Sequence, residues 1–374
     1  MIYATTFRDL AQWTVEQAVA IQQIPAPTFE EKARAEYVAA QFRALGLSDV
    51  AVDDLFNVYG RLAGNASDRT GLMVAAHTDT VFAADTDLSV RREGDIIFGV
   101  GLGDNSIGVA GMLALAKWLR DERVTPPYDL WFVATSREEG LGDLGGMRAA
   151  FDRLRAKIHG VINLEGLAFG HVYHAGIAVR RLKITAHVAG GHSWLHFGRP
   201  SATHAIIQLG AKITALQPPL TPRTTYNIGM LEGGTTINAI AASASLWLDL
   251  RSEERPALAQ LEAEVRSFIK ALETDELTFT VEIVGDRPAG ALPATHAYVQ
   301  SALEVMAELG VRGSLEVGST DANVPLSEGC PAITVGITRG GNAHRLDEYL
   351  EVSPVALGLR QLTMLLMRIA KETR

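Results

Sequence analysis

Cysteine is almost absent from this chain: Cys330 stands alone among 374 residues. No intramolecular disulfide can form, which suits a reducing, cytoplasmic setting. Cys330 precedes Pro331 and an apolar run, and it reads as an inert buried thiol. Long apolar runs are missing too. None approaches the roughly 18–20 residues that a membrane span needs, so no membrane partner is expected. The opening residues, MIYATTFRDLAQWTVEQ, carry Arg8 and Asp9 early and show no apolar stretch of the secretory type. Basic excess is also lacking. A net charge of −9 argues against a nucleic-acid partner, which wants a basic face. It leaves anionic substrates open, because local charge at a site can oppose the net. Neither an internal repeat nor a low-complexity segment is visible.

The rest describes an ordinary globular protein, with 47% hydrophobic and 21% charged residues. The length favours two domains over one core. Thr28-x-x-Glu31 has the form of a capping box and predicts a helix with Ala33, Tyr37, Val38, Phe42 and Leu45 on its apolar or small positions, stopping at Gly46. Short apolar runs at 72–76, 130–134 and 160–164 read as buried strands, with a helix from Ile107 to Leu119 between the first two. Strand, helix, strand at this spacing predicts an α/β sheet with parallel members. Near residue 177 the pattern changes. Leu182, Ile184, Ala186 and Val188 alternate with Lys183, Thr185 and His187. A helix (about 201–216), two strands (225–231 and 243–250), a helix (256–272) and a strand (277–284) follow. The order β-α-β-β-α-β is the ferredoxin-like unit. The expectation is therefore a discontinuous catalytic domain, 1–176 and 287–374, interrupted by a smaller α+β domain at 177–286.

The reactive side chains cluster at the ends of the apolar runs. His77-Thr78-Asp79 closes the first, Glu138-Glu139 the second and Glu165 the third. Ligands of α/β sheets bind beyond the carboxyl ends of parallel strands, so this topology can bring these residues to one rim. On an extended chain His77 and Asp79 share a face, and Asp79 could accept the free imidazole proton. A loop histidine beside a capping aspartate is the plainer alternative. Gly99-Val100-Gly101-Leu102-Gly103-Asp104-Asn105 lets backbone approach a ligand closely. A helix cap by Asp104 or Asn105 is one alternative. A dinucleotide loop is another, and a poor one, because Asp104 stands where the third glycine of G-x-G-x-x-G belongs and would repel a pyrophosphate. Adjacent glutamates on an extended strand point to opposite faces, so Glu138 and Glu139 suit different roles. A solvated acidic turn would explain them equally well in isolation. A carboxylate closing an apolar run, as Glu165 does, needs a partner or a metal. His344 lies in the polar segment Asn342-Ala343-His344-Arg345-Leu346-Asp347-Glu348.

Together these segments resemble the co-catalytic dizinc peptidase and aminoacylase family, which includes glutamate carboxypeptidases, acetylornithine and succinyl-diaminopimelate deacylases, and tripeptidases. The resemblance spans nearly the whole chain and rests on AAHTDTV, GLGDNSIG, SREEGLGD, GSTDAN and NAHRLDE, in the family's order. It implies a zinc-binding α/β domain with a mixed sheet flanked by helices, and an inserted ferredoxin-like lid that commonly forms a homodimer interface. It implies two divalent metals, zinc first, with cobalt or manganese as substitutes. His77 and Glu165 would hold one metal, Glu139 and His344 the other, and Asp104 would bridge them. Asp79 would support His77, and Glu138 would be the general acid-base. His192, in Gly190-Gly191-His192-Ser193, would reach a substrate carbonyl, and Asn238 and Arg251 would contact polar groups of the substrate. An exposed turn histidine and a strand-end ion pair are the plainer readings of His192 and Arg251. The family pattern is broken at Asn105-Ser106, at Arg137 and at Trp194 and His196; none of these removes a ligand.

The resemblance implies amide hydrolysis by metal-activated water. Small peptides (di- or tripeptides) are the expected substrates, since AHTDT and EEGLGD are closer to the tripeptidase-like members. N-acyl amino acids are the alternative. A non-catalytic metal-containing binding protein is a further one, disfavoured because a structural metal site has no use for the extra carboxylate of Glu138.

Overall fold

The computed structural model describes residues 2–66 and 70–372. The chain forms two compact units: Met1–Gly176 with Gly290–Arg374, and Ile177–Ala289.

The first unit is built on a nine-stranded mixed sheet among the described residues. Its middle is parallel. Gly71–His77 runs between Leu130–Thr135 and Ile158–Leu164, and Ala332–Val335 runs beside Ile158–Leu164. Val58–Leu62 extends one side antiparallel to Leu130–Thr135, and Ser48–Val52 pairs antiparallel with Val58–Leu62 beyond it. His171–Gly176 extends the other side, antiparallel to Ala332–Val335. The central strands read as near-continuous apolar runs because both faces are covered: every residue of Gly71–His77 and of Leu130–Thr135 is buried. Helix Ile107–Asp121 packs on the sheet with a wide apolar face, including Met112, Leu113 and Leu119. Among the described residues no helix is long and apolar enough to cross a membrane.

The capping box expected at Thr28-x-x-Glu31 does not form. Helix Lys32–Ala44 begins after Glu31 with no side-chain cap. The Thr28 hydroxyl donates to Asp79 instead, and Glu31 accepts the N–H groups of Phe29 and Arg137. These residues brace the functional loops, and that competes with capping. In the same helix Arg34 is buried and Ala33 exposed, the reverse of a simple apolar stripe. The Arg34 guanidinium donates to the carbonyls of Ile24 and Thr78, at 2.6 and 2.7 Å. Burial pulls it down to about 10, against the pull of Asp79 and Glu31.

The second unit runs Ala178–His187, helix Ala202–Thr214, Thr224–Gly233, Ser243–Ser252, helix Arg255–Leu272 and Thr278–Arg287. The four strands form one antiparallel sheet in the order Thr224–Gly233, Ser243–Ser252, Ala178–His187, Thr278–Arg287. Both helices supply its core, with Ile206, Leu209 and Ile213 from one and Leu258, Leu261, Val265 and Ile269 from the other, against Leu182, Ile184, Leu246 and Leu248. A short two-stranded piece, Gly191–His192 with Ala239–Ile240, sits apart from this sheet.

Cys330 is half-buried, and burial pushes its thiol up to about 11, which keeps it unreactive at neutral pH.

Candidate functional site

The carboxyl ends of the parallel strands hold most of the reactive residues. His77 is the last residue of its strand and lies opposite Thr135, whose strand leads into Ser136-Arg137-Glu138-Glu139. Glu165 follows the third strand. Sheet register alone therefore puts these groups on one edge.

His77 is buried, and its Nδ1 lies 3.1 Å from the backbone carbonyl of Asp79. A carbonyl only accepts, so Nδ1 carries a proton and Nε2 faces Asp104 at 3.1 Å and Glu165 at 3.5 Å. The expected imidazole-to-carboxylate contact is looser: the Asp79 carboxylate is 3.6 Å from Nδ1. Its oxygens are committed elsewhere, accepting the N–H groups of Glu138 and Glu139 and the Thr28 hydroxyl, each at 2.9 Å. Asp79 thus supports the double-glutamate loop as well as His77.

His344 Nε2 stands 2.8 Å from Glu139 and 3.1 Å from Asp104. Asp104 presents one oxygen to His77 and the other to His344. Donor atoms of His77, Asp104 and Glu139 all lie within 4.8 Å of one another, close enough to share a metal ion. His344 has φ 66, a left-handed conformation that non-glycine residues avoid and that recurs where function fixes the backbone.

The charge balance fits a cation. Burial pushes Glu139 up to about 7, reinforced by Glu138 and Asp104. Burial also pushes Glu165 up to about 6, again with help from Asp104 and Glu138. For His77 burial acts downward but is outweighed by Glu165, Asp104 and Asp79, so the imidazole titrates well above its usual range. Hydrogen bonds to Asp104 and Glu139 raise His344 to about 10. Without a cation, the site holds protons to offset crowded carboxylates. Imidazole nitrogen and carboxylate oxygen are the donors that zinc, cobalt and manganese take, so this donor set fits a metal pair.

Three residues outside the expected metal, catalytic and substrate-binding set complete the surroundings. Asn105 donates to the Leu164 carbonyl and accepts the Gly166 N–H, both at 2.8 Å, tying the Asp104 loop to the Glu165 loop. Gly108 makes this possible, since a Cβ there would lie 2.0 Å from Asn105 Oδ1. Asp321 is wholly buried and accepts the Thr135 hydroxyl at 2.5 Å. Burial and the charge of Glu138 hold Asp321 well above the usual carboxylate range. Glu348 is buried and accepts the N–H groups of Gly101, Gly103 and Asp104. Burial raises it to about 7. The glycine loop that could have cradled a pyrophosphate cradles this carboxylate instead. Asp321 and Glu348 both fall in the segments that carry the family resemblance, and an acidic residue in such a segment was the available signal.

His192, Asn238 and Arg251 belong to the second unit. His192 is exposed, and its Nδ1 accepts the Trp194 N–H at 3.2 Å, which leaves the proton on Nε2. Asn238 is exposed, with its backbone carbonyl bound to the Ser193 N–H. Arg251 is half-exposed and pairs with Asp249 at 2.6 Å; Asp249 also takes Arg181.

A mixed α/β sheet with imidazoles and carboxylates converging at the ends of its parallel strands defines a hydrolase built around a metal-binding group. The comparisons name the kind. The profile of peptidase family M20/M25/M40 matches residues 73–368, and the chain belongs to that family. It is similar to a succinyl-diaminopimelate desuccinylase of Corynebacterium glutamicum, 28% identical over 341 residues, which cover 89% of this chain and 90% of that one. In fold it is similar to aminopeptidase PepT of Bacillus cereus, with a TM-score of 0.76 at 20% identity over 96% of this chain and 99% of the other. It is also similar to the YXEP protein of Bacillus subtilis, described as a dinuclear metal-binding peptidase, with a TM-score of 0.69 at 16% identity over 97% and 99%.

Proposed function

We propose that the protein hydrolyses an amide bond in a small peptide, using a pair of divalent metals, most simply zinc. One observation carries the reading: Asp104 gives one oxygen to each of two histidines, and each histidine has its own second carboxylate, Glu165 or Glu139. In this reading His77 and Glu165 would hold one metal and His344 and Glu139 the other, with Asp104 contributing to both. Bound there, a metal pair would supply Lewis acidity for the scissile carbonyl and would bring the pKa of a nearby water toward about 7. Glu138, whose backbone N–H is bound by Asp79, takes the proton from the attacking water and returns it to the leaving amine. The Nε2–H of His192 donates to the carbonyl oxygen as negative charge develops there. Asn238 and Arg251 bind the carboxylate or a peptide carbonyl of the substrate, with Asp249 fixing the guanidinium.

The second unit acts as a lid of ferredoxin-like topology, a reading supported by its β-α-β-β-α-β order and antiparallel sheet. It also forms a homodimer interface. Support comes from its edge strand Thr224–Gly233, which exposes Met230 and Leu231, and from the exposed Ile207 of the neighbouring helix. A cytoplasmic setting fits the single cysteine. The second reading, removal of an acyl group from an N-acyl amino acid, is favoured by the desuccinylase relative at 28% identity. The deciding experiment is amine release by zinc- or cobalt-loaded protein from dipeptides, tripeptides and N-acyl amino acids, beside a chelator-stripped control. Metal-dependent release from peptides supports the proposal, and release from acyl amino acids alone moves it to the deacylase. No release from any of them rejects both.

A further inference from the structure

Glu348 has no place among the metal donors, yet its carboxylate accepts three backbone N–H groups of the loop that carries one of them. Its Oε2 accepts the Gly101 N–H at 2.9 Å, and its Oε1 accepts those of Gly103 and Asp104 at 2.7 and 2.9 Å. Its own carbonyl accepts the Gly99 N–H at 3.0 Å. The side chain is fully buried. Successive N–H groups turned inward by a glycine loop form an anion-binding nest. Gly101 provides the turn with φ 65.

The topology explains the encounter. Gly340–Gly341 pairs with Tyr349–Glu351, which in turn pairs with Ile96–Phe98. The loop between the first two carries His344 and ends at Glu348; the strand Ile96–Phe98 leads straight into the Asp104 loop. A short circuit closes: His344 to Glu348 along the chain, Glu348 to the Asp104 N–H, and the Asp104 carboxylate back to His344 at 3.1 Å. The geometry points to Glu348 as a positioning residue: it clasps the Gly101–Asp104 backbone and thereby sets the spacing of Asp104 and His344 for a shared metal. This inference rests on the two-metal reading above.

Partners that orient metal ligands typically matter ten- to a hundredfold in affinity or activity. The test compares wild type with Glu348→Gln and Glu348→Ala. Gln keeps one acceptor oxygen but turns an NH2 toward the Gly101 N–H or the other pair; Ala removes both oxygens. Zinc affinity is read by competition with a chromophoric chelator. Amide hydrogen exchange of the 99–106 segment is read in the metal-free protein, and kcat and KM on the substrate found above. The expected result is faster exchange in that segment, a ten- to hundredfold weaker zinc affinity at one site, and a fall in kcat with KM within about twofold. Ala should be worse than Gln. Should the Glu348 variants fail to fold, Gly101→Ala tests the same clasp from the other side. It strains the left-handed turn and pulls one N–H from an intact Glu348, with the same direction expected. Unchanged exchange overturns the clasp. Faster exchange with wild-type zinc affinities and kcat reduces Glu348 to a structural residue and also overturns the inference. A wild type that binds no zinc at all is a different failure, because it rejects the two-metal reading and removes the inference with it.

Discussion

Replacing Asp79 by asparagine tests how the double-glutamate loop is held. The carboxylate is fully buried, with one oxygen on the Glu138 N–H and the other on the Glu139 N–H and the Thr28 hydroxyl. The amide of Asn has a single acceptor oxygen. Its better orientation keeps that oxygen on Glu139 and Thr28 and turns the NH2 toward the Glu138 N–H, donor against donor. One charge-assisted bond is lost and one buried donor is left unpaired. Each such loss costs about 1–3 kcal/mol, so destabilisation of about 2–6 kcal/mol is expected. That is a large part of the roughly 5–15 kcal/mol that holds a domain together. The backbone that aims Glu138 is freed at the same time, so turnover should fall by about ten- to a hundredfold or more. Urea unfolding of the metal-free protein reads the first effect, and turnover of the metal-loaded protein reads the second. A variant within about 0.5 kcal/mol of wild type, with normal turnover, would refute the argument that Asp79 anchors this loop.

Acid and base should act on the metal-free protein in an unusual direction. Glu165 at about 6, Glu139 and Glu348 at about 7, and His344 at about 10 all bind protons more tightly folded than unfolded. Their stabilisation is full below the unfolded values and is lost as pH rises through the folded ones. Asp79 and Asp104 are depressed and lose theirs only in acid, below this window. Melting temperature should therefore fall as pH rises from about 5 through 8, and zinc should restore it; a rise across that window would contradict the crowding described here. Glu138→Gln should bind metal normally and lose about 10²–10⁴ in turnover; near-normal turnover would exclude Glu138 as the base. His192→Ala should leave unfolding unchanged, because the side chain is exposed, yet lower kcat by about 10²–10³. An unchanged rate would remove His192 from the reaction.

Much of the site was visible in the sequence because its carriers are local patterns. Apolar runs at 72–76, 130–134 and 160–164 became the strands Gly71–His77, Leu130–Thr135 and Ile158–Leu164. A buried parallel strand is a short continuous apolar run, so the residue that ends it is legible. The Thr28-x-x-Glu31 pattern misled for the complementary reason. Capping is a local preference worth about 1 kcal/mol, and here the same side chains found partners on distant loops. Arg34 was unreadable in the same way, since a buried guanidinium depends on the carbonyl of Thr78, 44 residues further along the chain.

The sequence by itself determined the elements, the chemistry of the donors and their positions at strand ends, because hydrophobic periodicity and residue type act over a few neighbours. Only the tertiary structure decided who meets whom. Asp104 lies between two histidines, one of them joined to Glu139 across 205 residues. The Asp79 carboxylate goes to backbone N–H groups about 60 residues away, and the glycine loop closes on Glu348 from 244 residues or more away. Those contacts are fixed by sheet register and by the need to pair every buried donor and acceptor. Both are properties of the packed chain, and no short stretch of sequence carries them.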